Sequence, residues 1–390
     1  MTLRAGAAVA DITPAKLSGL NAMGDQFLGM HDRLHARALI VEDRACVAIV
    51  SLDLLEVGDT TGLRERIRAL GIDGTLIVAT HSHNAPRAGV TPPGGLSRPP
   101  SPESLTYTDW LWEQIVAVVA AARAAMVPAR FGTGRGEADI NVNRDEFRDG
   151  WTLGQNPDGP SDKALTVLAF ADLEHSPIAT LLGYAVHPTV SLGTRLLGAD
   201  LAGATTRRVE DAVGGVCLWL PGSLGDQAPR NSRESLGCPP DAVVYAALDE
   251  QAGVLAAESA WVVRGIDNWR RSAPVSTWTR RVDSPAKRGT GLAADMRQDE
   301  VSAVCVLLTE VTLGDTMMIG VGGEVTTPAA AELLAAAAPT DAVIVSLANE
   351  RIGYLADPDA FGRGTFAARG CPVTEEWLPN ATAAIREGSE

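Results

Sequence analysis

Two histidines one residue apart form the most informative pair in the sequence. His81 and His83 lie in the segment THSHNAP at residues 80–86, directly after the apolar run LIVA at 76–79. Because alternate side chains of an extended chain point to the same face, we expect the two imidazoles to converge beyond the end of a strand. Converging imidazoles are typical of a metal site or an acid-base site.

A pair of this kind can also be two ordinary hydrogen-bonded histidines of the core or surface. The sequence has only 6 histidines, and a third, His187, again follows an apolar run, IATLL at residues 178–182. The repeated arrangement favours a functional site over coincidence.

An oxygen ligand would complete a metal site built on His81 and His187. Catalytic zinc takes three or four ligands from His, Asp, Glu or Cys and keeps a position for water, whose pKa falls to about 7. Glu324 is the best candidate, because it follows MMIGVGG at residues 317–323, whose small residues let other groups approach. A carboxylate at a helix start is also favourable by itself, so both roles stay open for Glu324.

Composition excludes several classes of protein. The chain has 390 residues, 46% hydrophobic and 21% charged, which is typical of a globular protein and not of a disordered or fibrous one. The formal net charge of -15 argues against nucleic acid or an anionic membrane as a partner. The 5 scattered cysteines fit neither a disulfide framework nor a Cys-x-x-Cys zinc site. With no signal-peptide core and no apolar run of roughly 20 residues, we expect a cytoplasmic protein.

Strand-like and helical patterns alternate along the chain, which predicts an α/β fold with mixed sheets flanked by helices. Apolar runs predict strands at residues 38–41, 47–52, 75–79, 165–169, 178–186, 216–220, 302–311, 317–321 and 342–347. Helices are predicted at residues 61–70, 108–126, 201–213, 242–256 and 328–337. The stretches 89–102, 141–163 and 222–240 are predicted to be irregular, and the first is either a rim over the histidines or a plain surface loop. Nothing divides the chain, so we expect one domain, residues 1–390.

Seven motifs form an ordered series along most of the chain. They are AVADITP at 8–14, GMHDRLHARA at 29–38, THSHNAP at 80–86, NVNR at 141–144, DKALTVL at 162–168, AVHPT at 185–189 and GDQAP at 225–229. In this order they resemble the motifs of the neutral (alkaline, non-lysosomal) ceramidases, a family of zinc amidases. The resemblance implies a ceramidase-like catalytic domain that lacks the family's C-terminal immunoglobulin-like domain and its signal peptide.

The resemblance also implies a set of site residues. Zn²⁺ is the implied cofactor, with ligands at His81, His187, Glu324 and Tyr354. Tyr354 lies in GYL at residues 353–355, which is similar to the family's Ser-Tyr-Val, whereas the residues alone would make it a packing side chain. His83 is implied to face the substrate as a proton donor or hydrogen-bond partner. Arg144 matches a family arginine near the reacting group, where it would stabilise an oxyanion.

Two departures from the family pattern bear on the substrate. Ala228, in GDQA, replaces the family's serine, and Phe366, in TFA, replaces its second active-site tyrosine. Both changes remove polar contacts near the scissile amide, so ceramide is not the expected substrate. We expect Asn143, Ala228 and Phe366 to contact the substrate. Asp226 is expected to transfer a proton, although an aspartate in a glycine-rich turn more often stabilises the turn.

These features predict a zinc-dependent hydrolase that cleaves an amide, or an ester or lactone, of a small soluble molecule with metal-activated water. A small-molecule substrate is the expected partner, with no nucleic acid and no membrane, and the oligomeric state is not determined. Residues 267–271, DNWRR, match no motif and are expected to bear on substrate choice.

Three other functions stay open. Barrel amidohydrolases also carry a His-x-His after a strand, but they need further strand-end histidines and a late aspartate. A zinc enzyme of non-hydrolytic chemistry, such as an isomerase, a lyase or a cyclising enzyme of specialised metabolism, is compatible with the missing serine. An inactive metal-binding protein is the third, and the presence of His83 and Arg144 counts against it.

Overall fold

The structure is a computed structural model that describes residues 2–287 and 301–388. Its strands are β1 (Arg4–Asp11), β2 (Gly29–Met30), β3 (His35–Asp43), β4 (Ala45–Leu52), β5 (Glu56–Val57), β6 (Gly74–Ala79), β7 (Arg87–Ala88), β8 (Val127–Glu137), β9 (Asn141–Phe147), β10 (Trp151–Asn156), β11 (Ala164–Asp172), β12 (Pro177–Tyr184), β13 (Leu196–Leu197), β14 (Val216–Pro221), β15 (Gln227–Pro229), β16 (Val275–Pro285), β17 (Ala303–Leu313), β18 (Thr316–Val321), β19 (Glu324–Val325), β20 (Asp341–Val345) and β21 (Tyr354–Leu355). Its helices are α1 (Thr61–Arg68), α2 (Pro102–Ala124), α3 (Asp200–Val213), α4 (Asp241–Gly265), α5 (Thr327–Ala337), α6 (Pro358–Arg363), α7 (Phe366–Arg369) and α8 (Trp377–Gly388).

Two mixed sheets form the centre of the fold. The larger has eight strands in the order β14, β12, β11, β8, β1, β3, β4, β6, and the smaller has four in the order β16, β17, β18, β20. Neighbouring strands are antiparallel except for the parallel pairs β4 with β6, β12 with β14, and β18 with β20. The predicted α/β class with mixed sheets is therefore confirmed. Among the described helices, none is long and apolar enough to cross a membrane.

Strand β3 shows how the layers stack. Ala38 and Ile40 pack against α1 and α2, whereas Leu39 and Val41 point the other way and pack against the smaller sheet, as the two-residue period of a strand requires. Helices α3 and α4 cover the rest of the larger sheet, and α5 and α8 cover the outer face of the smaller one. Burial on both faces explains why several strands are almost continuously apolar in sequence.

Several elements differ from the sequence prediction. Residues 141–163, predicted to be irregular, contain β9 and β10, and the strands β1, β8 and β16 were not predicted. Strand β1 consists largely of Ala and Gly because α2 packs tightly on it: a Cβ on Gly6 would lie 2.4 Å from the carbonyl oxygen of Ala122. Helix α2 begins earlier than predicted, where the Ser101 hydroxyl accepts a hydrogen bond from the Ser104 amide at 3.0 Å.

The larger sheet curls, so that its two edges approach each other. The Ser51 hydroxyl in β4 donates to the Trp219 carbonyl in β14 at 2.8 Å. Residues 346–349, after β20, bridge the same gap, because the Ser346 amide donates to the Pro221 carbonyl at the end of β14 and the Asn349 amide donates to the Ile77 carbonyl in β6. The carboxyl ends of β6 and β12 therefore meet, and His81 and His187 follow those two strands.

Candidate metal centre

Three histidines from two strand ends form one cluster. His81, His83 and His187 offer ring nitrogens that all lie within 4.8 Å of one another. The predicted convergence of His81 and His83 is therefore confirmed, but the predicted reason is wrong. His81 is not extended: its backbone is left-handed, with φ at 72°. Non-glycine residues held in this region cost on the order of 1–3 kcal/mol and gather at functional sites.

Two of the histidines are fixed by backbone carbonyls. The Nδ1 atom of His81 lies 2.6 Å from the Leu55 oxygen, and that of His187 lies 2.6 Å from the Leu224 oxygen. Because a carbonyl only accepts hydrogen bonds, we assign the proton to Nδ1 in both rings, which leaves the lone pair on Nε2. Burial, and then the charge of Arg144, lowers the pKa of His187 to about 3, so this ring is neutral at pH 7. Metal-binding histidines are oriented in the same way.

Glu324 brings a carboxylate to the same point. Its Oε2 lies 3.1 Å from Nε2 of His187 and 3.5 Å from Nε2 of His81. Burial raises the pKa of Glu324, but Arg351 and then His81 outweigh burial and hold it well below its usual value. Two imidazole Nε2 atoms and a carboxylate with a depressed pKa therefore meet at one buried point. This arrangement has the electrostatics of a cation site.

Tyr354 lies beside this group of atoms. It is directly opposite Glu324 in the parallel pair of β19 and β21, so the backbone register places both side chains together. The Tyr354 oxygen accepts a hydrogen bond from Nη2 of Arg144 at 3.0 Å. Burial raises the pKa of Tyr354 to about 12, although Arg144 acts in the opposite direction.

Gly225 lets the turn after β14 reach the cluster. A Cβ at this position would lie 2.7 Å from the Glu324 oxygen and 2.8 Å from the Val325 oxygen, both of them backbone atoms. The Gly225 amide donates to the Val325 carbonyl at 2.8 Å. A larger residue would push β19 away from the turn that holds His187.

The cluster opens into a cavity of about 170 Å³. Its lining comprises Ala22, Met23, Leu55, Glu56, His81, His83, Arg87, Leu96, Ser97, Arg98, Glu324, Arg351, Tyr354, Phe366 and Gly370. Residues 96–98 belong to the predicted irregular stretch 89–102, which therefore forms part of the rim. Both ring nitrogens of His83 are buried and have no hydrogen-bond partner among the described residues. Burial, and then His81 and His187, lowers the pKa of His83 well below its usual value.

Arg144 and Asn143, both in β9, lie outside the described lining of the cavity. Besides its bond to Tyr354, Arg144 donates from Nη2 to the Gly225 carbonyl at 2.8 Å. The Asn143 side-chain amide donates to the Pro160 carbonyl at 2.9 Å and to the carboxylate of Asp226 at 3.2 Å. Both residues thus support the turns around the cluster.

Asp226 and Ala228 also lie outside that lining. Oδ1 of Asp226 accepts hydrogen bonds from the amide and the hydroxyl of Thr327 at the start of α5, at 2.9 and 2.8 Å. Burial raises the pKa of Asp226 to about 6. Ala228 is paired with Val142 where β15 joins β9. Of the residues predicted to contact substrate, Phe366 is the one that the described cavity includes.

A buried ion-pair network supports the cluster, and the sequence analysis missed it. Arg351 binds Glu324 at 2.7 Å and Glu56 at 2.9 Å, and Arg87 binds Glu56 at 2.8 Å. Glu56 and Arg87 face each other in the short parallel pair of β5 and β7. No local pattern marks these residues, because they are brought together by distant segments.

Residues 267–271, expected to bear on substrate choice, lie elsewhere. The Trp269 indole donates to the Ile266 carbonyl at 3.0 Å, and Arg270 pairs with Asp315 on the surface. None of the five is among the residues described around the cavity.

The fold with these features is that of the neutral ceramidases. A crystal structure of neutral ceramidase from Pseudomonas aeruginosa superposes with a TM-score of 0.81 at 17% identity, covering 100% of this chain and 74% of that chain. A ceramidase complexed with C2 gives 0.80 at 15% identity, with coverage of 100% and 75%. Neither a protein-family model nor a curated protein matches the sequence. The likeness therefore confirms the fold implied by the motifs.

Proposed function

We propose that this chain is a zinc-dependent hydrolase of small amides, built as a single catalytic domain. The observation that carries the proposal is the meeting of His81 Nε2, His187 Nε2 and Glu324 Oε2 at one buried point. Two imidazoles and one carboxylate suit zinc better than magnesium or calcium, which prefer all-oxygen sites. Tyr354 is the proposed fourth ligand, and Arg144 favours the phenolate that ligation requires.

His83 is proposed to act on the substrate and not to bind the metal. The three-histidine set His81, His83 and His187 is the competing donor set. Glu324 completes a site without His83, however, since its Oε2 lies within 3.5 Å of the other two imidazoles. The nitrogens of His83 line the cavity, where a neutral imidazole can take a proton from the attacking water and then pass it to the leaving amine.

The proposed zinc ion and the side chains of the site would contribute different parts of the chemistry. When bound, zinc lowers the pKa of a water molecule to about 7 and polarises a substrate carbonyl. Arg144, fixed by Gly225 and Tyr354, contributes a positive charge beside the ligand set and is proposed to stabilise the developing oxyanion. Phe366 presents an apolar wall, and Asn143 and Ala228 are proposed to act through the turns that border the site.

Of the alternatives, the barrel amidohydrolase is wrong, because the two stacked sheets are not an eight-stranded parallel barrel. The other two alternatives are a non-hydrolytic zinc enzyme and an inactive metal-binding protein. The experiment in the next paragraph distinguishes both of them from the proposed hydrolase.

We expect purified protein to contain about one zinc per chain by elemental analysis. It should hydrolyse small soluble N-acyl amides far faster than N-acyl sphingosines. In H₂¹⁸O the released carboxylate should gain the label, which mass spectrometry detects. Metal-free active protein, turnover without label, or fast ceramide cleavage would each contradict part of this proposal. Tight zinc without turnover would favour the inactive binding protein.

The variant Asp226→Asn distinguishes a role of Asp226 in proton transfer from a role in holding the turn around the cluster. Both of its oxygens accept hydrogen bonds from the protein, so we propose that it positions the turn. Asp226→Asn should then lower stability by about 1–3 kcal/mol and leave the shape of the pH–rate profile unchanged. The exposed Asp341→Asn should change stability by less than about 0.5 kcal/mol. A loss of kcat of about 10²–10⁴, with the acidic limb near pH 6 removed, would instead assign proton transfer to Asp226.

A further inference from the structure

The cavity beside the cluster has an excess of positive charge. Three arginines and two glutamates line it, although the whole chain carries a formal net charge of -15. Arg87 and Arg351 are both paired with Glu56, and Arg351 also with Glu324. The remaining cation, Arg98, has no ion pair or hydrogen bond within the described ranges. The excess positive charge of the cavity lining is thus carried by the Arg98 side chain.

Arg98 is held at the rim by its neighbours. The preceding residues are fixed, since the Leu96 amide donates to the Ile352 carbonyl at 2.7 Å and the Leu96 carbonyl accepts from Arg351 at 2.9 Å. On its far side the guanidinium lies over Gly24, where a Cβ would be 3.0 Å from Nη1 of Arg98. The chain that leads to Arg98 is therefore anchored, while its guanidinium donors have no partner among the described residues, which lowers the entropy cost of binding a ligand.

Apolar side chains complete the rim. Met23, Leu96 and Phe366 line the cavity together with Arg98, and Met23 is 46% exposed. A guanidinium next to an apolar wall is complementary to a small molecule that carries an apolar group and a carboxylate, which arginine binds through two parallel hydrogen bonds. A cationic substrate would be repelled by the same lining.

We infer that Arg98 is a specificity residue and that the substrate is an amide bearing a carboxylate. This inference rests on the proposed amide hydrolysis and names the substrate class of that site. The carboxylate would contact Arg98 at the rim while the amide lies near His83. Because this contact is remote from the reacting bond, it should act on KM more than on kcat.

Two pairs of matched probes test the inference. N-acetyl-leucine and N-acetyl-leucinamide differ in a carboxylate on the amine side, and acetate release is measured. N-isobutyl succinamic acid and N-isobutyl succinamide place the same difference on the acyl side, and isobutylamine release is measured. In at least one pair the acid should have a kcat/KM about tenfold higher or more. Arg98→Gln should remove that preference by raising KM for the acid alone, whereas the exposed Arg271→Gln should retain it.

Equal rates for acid and amide in both pairs would overturn the inference and leave the proposed function standing. If no probe is hydrolysed, the proposed function fails. The role of Arg98 is then tested by measuring how strongly the probes bind. Thermal shift should then show that the acids stabilise the wild type more than Arg98→Gln. A carboxylate that bound zinc instead of Arg98 would stabilise both proteins equally, which would also overturn the inference.

Discussion

His187→Ala is expected to abolish stoichiometric zinc and to lower kcat/KM for a small amide by about a thousandfold or more. The side chain is fully buried, and its Nε2 is one of the three lone-pair atoms that meet at the proposed site. Losing several kcal/mol of transition-state stabilisation corresponds to a rate loss of this size. Elemental analysis and steady-state kinetics measure the two effects.

Three further variants make the result specific. His83→Ala should retain zinc while losing activity, which distinguishes the proposed ligand set from the three-histidine set. His175→Ala, in an exposed turn where its ring contacts Arg130, should retain both. Because an alanine at position 187 leaves a hole in the core, His187→Gln should be measured beside it. Full zinc content in a folded His187→Gln protein would contradict the proposed metal site.

Arg351→Ala is expected to cost about 3–5 kcal/mol of unfolding free energy, because it leaves two buried carboxylates without their shared cation. Glu56 and Glu324 are only 6% and 0% exposed. Arg351→Lys should recover part of the loss, since a single ammonium cannot reach both carboxylates as the guanidinium does. Zinc affinity should fall about 10- to 100-fold, as it does when a group that orients a metal ligand is removed.

The stability loss in Arg351→Ala should depend on pH. Burial raises the pKa of Glu56, but Arg351 and then Arg87 outweigh burial and hold it below its usual value of 4.5. A depressed carboxyl pKa stabilises the fold above the unfolded pKa, and this stabilisation is lost as the pH falls through the folded pKa. Wild type and variant should therefore differ by a constant amount well above the unfolded pKa of 4.5 and converge as the pH falls below it. Denaturant unfolding at several pH values measures the difference.

The surface variant Arg135→Ala provides the control for this series. Arg135 is paired with Asp341, and both side chains are about half exposed, so its loss should cost less than about 1 kcal/mol. An equal cost for the two alanine variants would show that Arg351 has no special role in supporting the site.

The sequence predicts those parts of the fold where one segment determines its own structure. Strands β4, β6 and β18 are buried on both faces, and their continuous apolar runs identify them. Strand β9 does not follow this rule, because its polar residues Asn143 and Arg144 hold other segments in place. Strand β1 is missed for the opposite reason, since close packing of α2 requires small residues there.

The candidate site, too, is predicted from the sequence only where a local pattern marks its residues. His81 and His83 are recognisable by spacing, and His187, Glu324 and Tyr354 by position within motifs. The network of Arg351, Glu56 and Arg87 has no local signal, because each partner is chosen by contacts across the fold. The burial of Glu56, Arg87 and Glu324 is likewise a property of the folded chain alone.

The segments that meet at the candidate centre come from opposite ends of the chain. Glu324 and Tyr354 lie beside His81 and His187 because the larger sheet curls and residues 346–349 bridge its edges. Affinity for the proposed zinc ion would therefore belong to the completed fold and not to any single segment. Metal uptake by this chain would then report that its fold is complete, since the proposed ligands lie in segments that are distant in sequence.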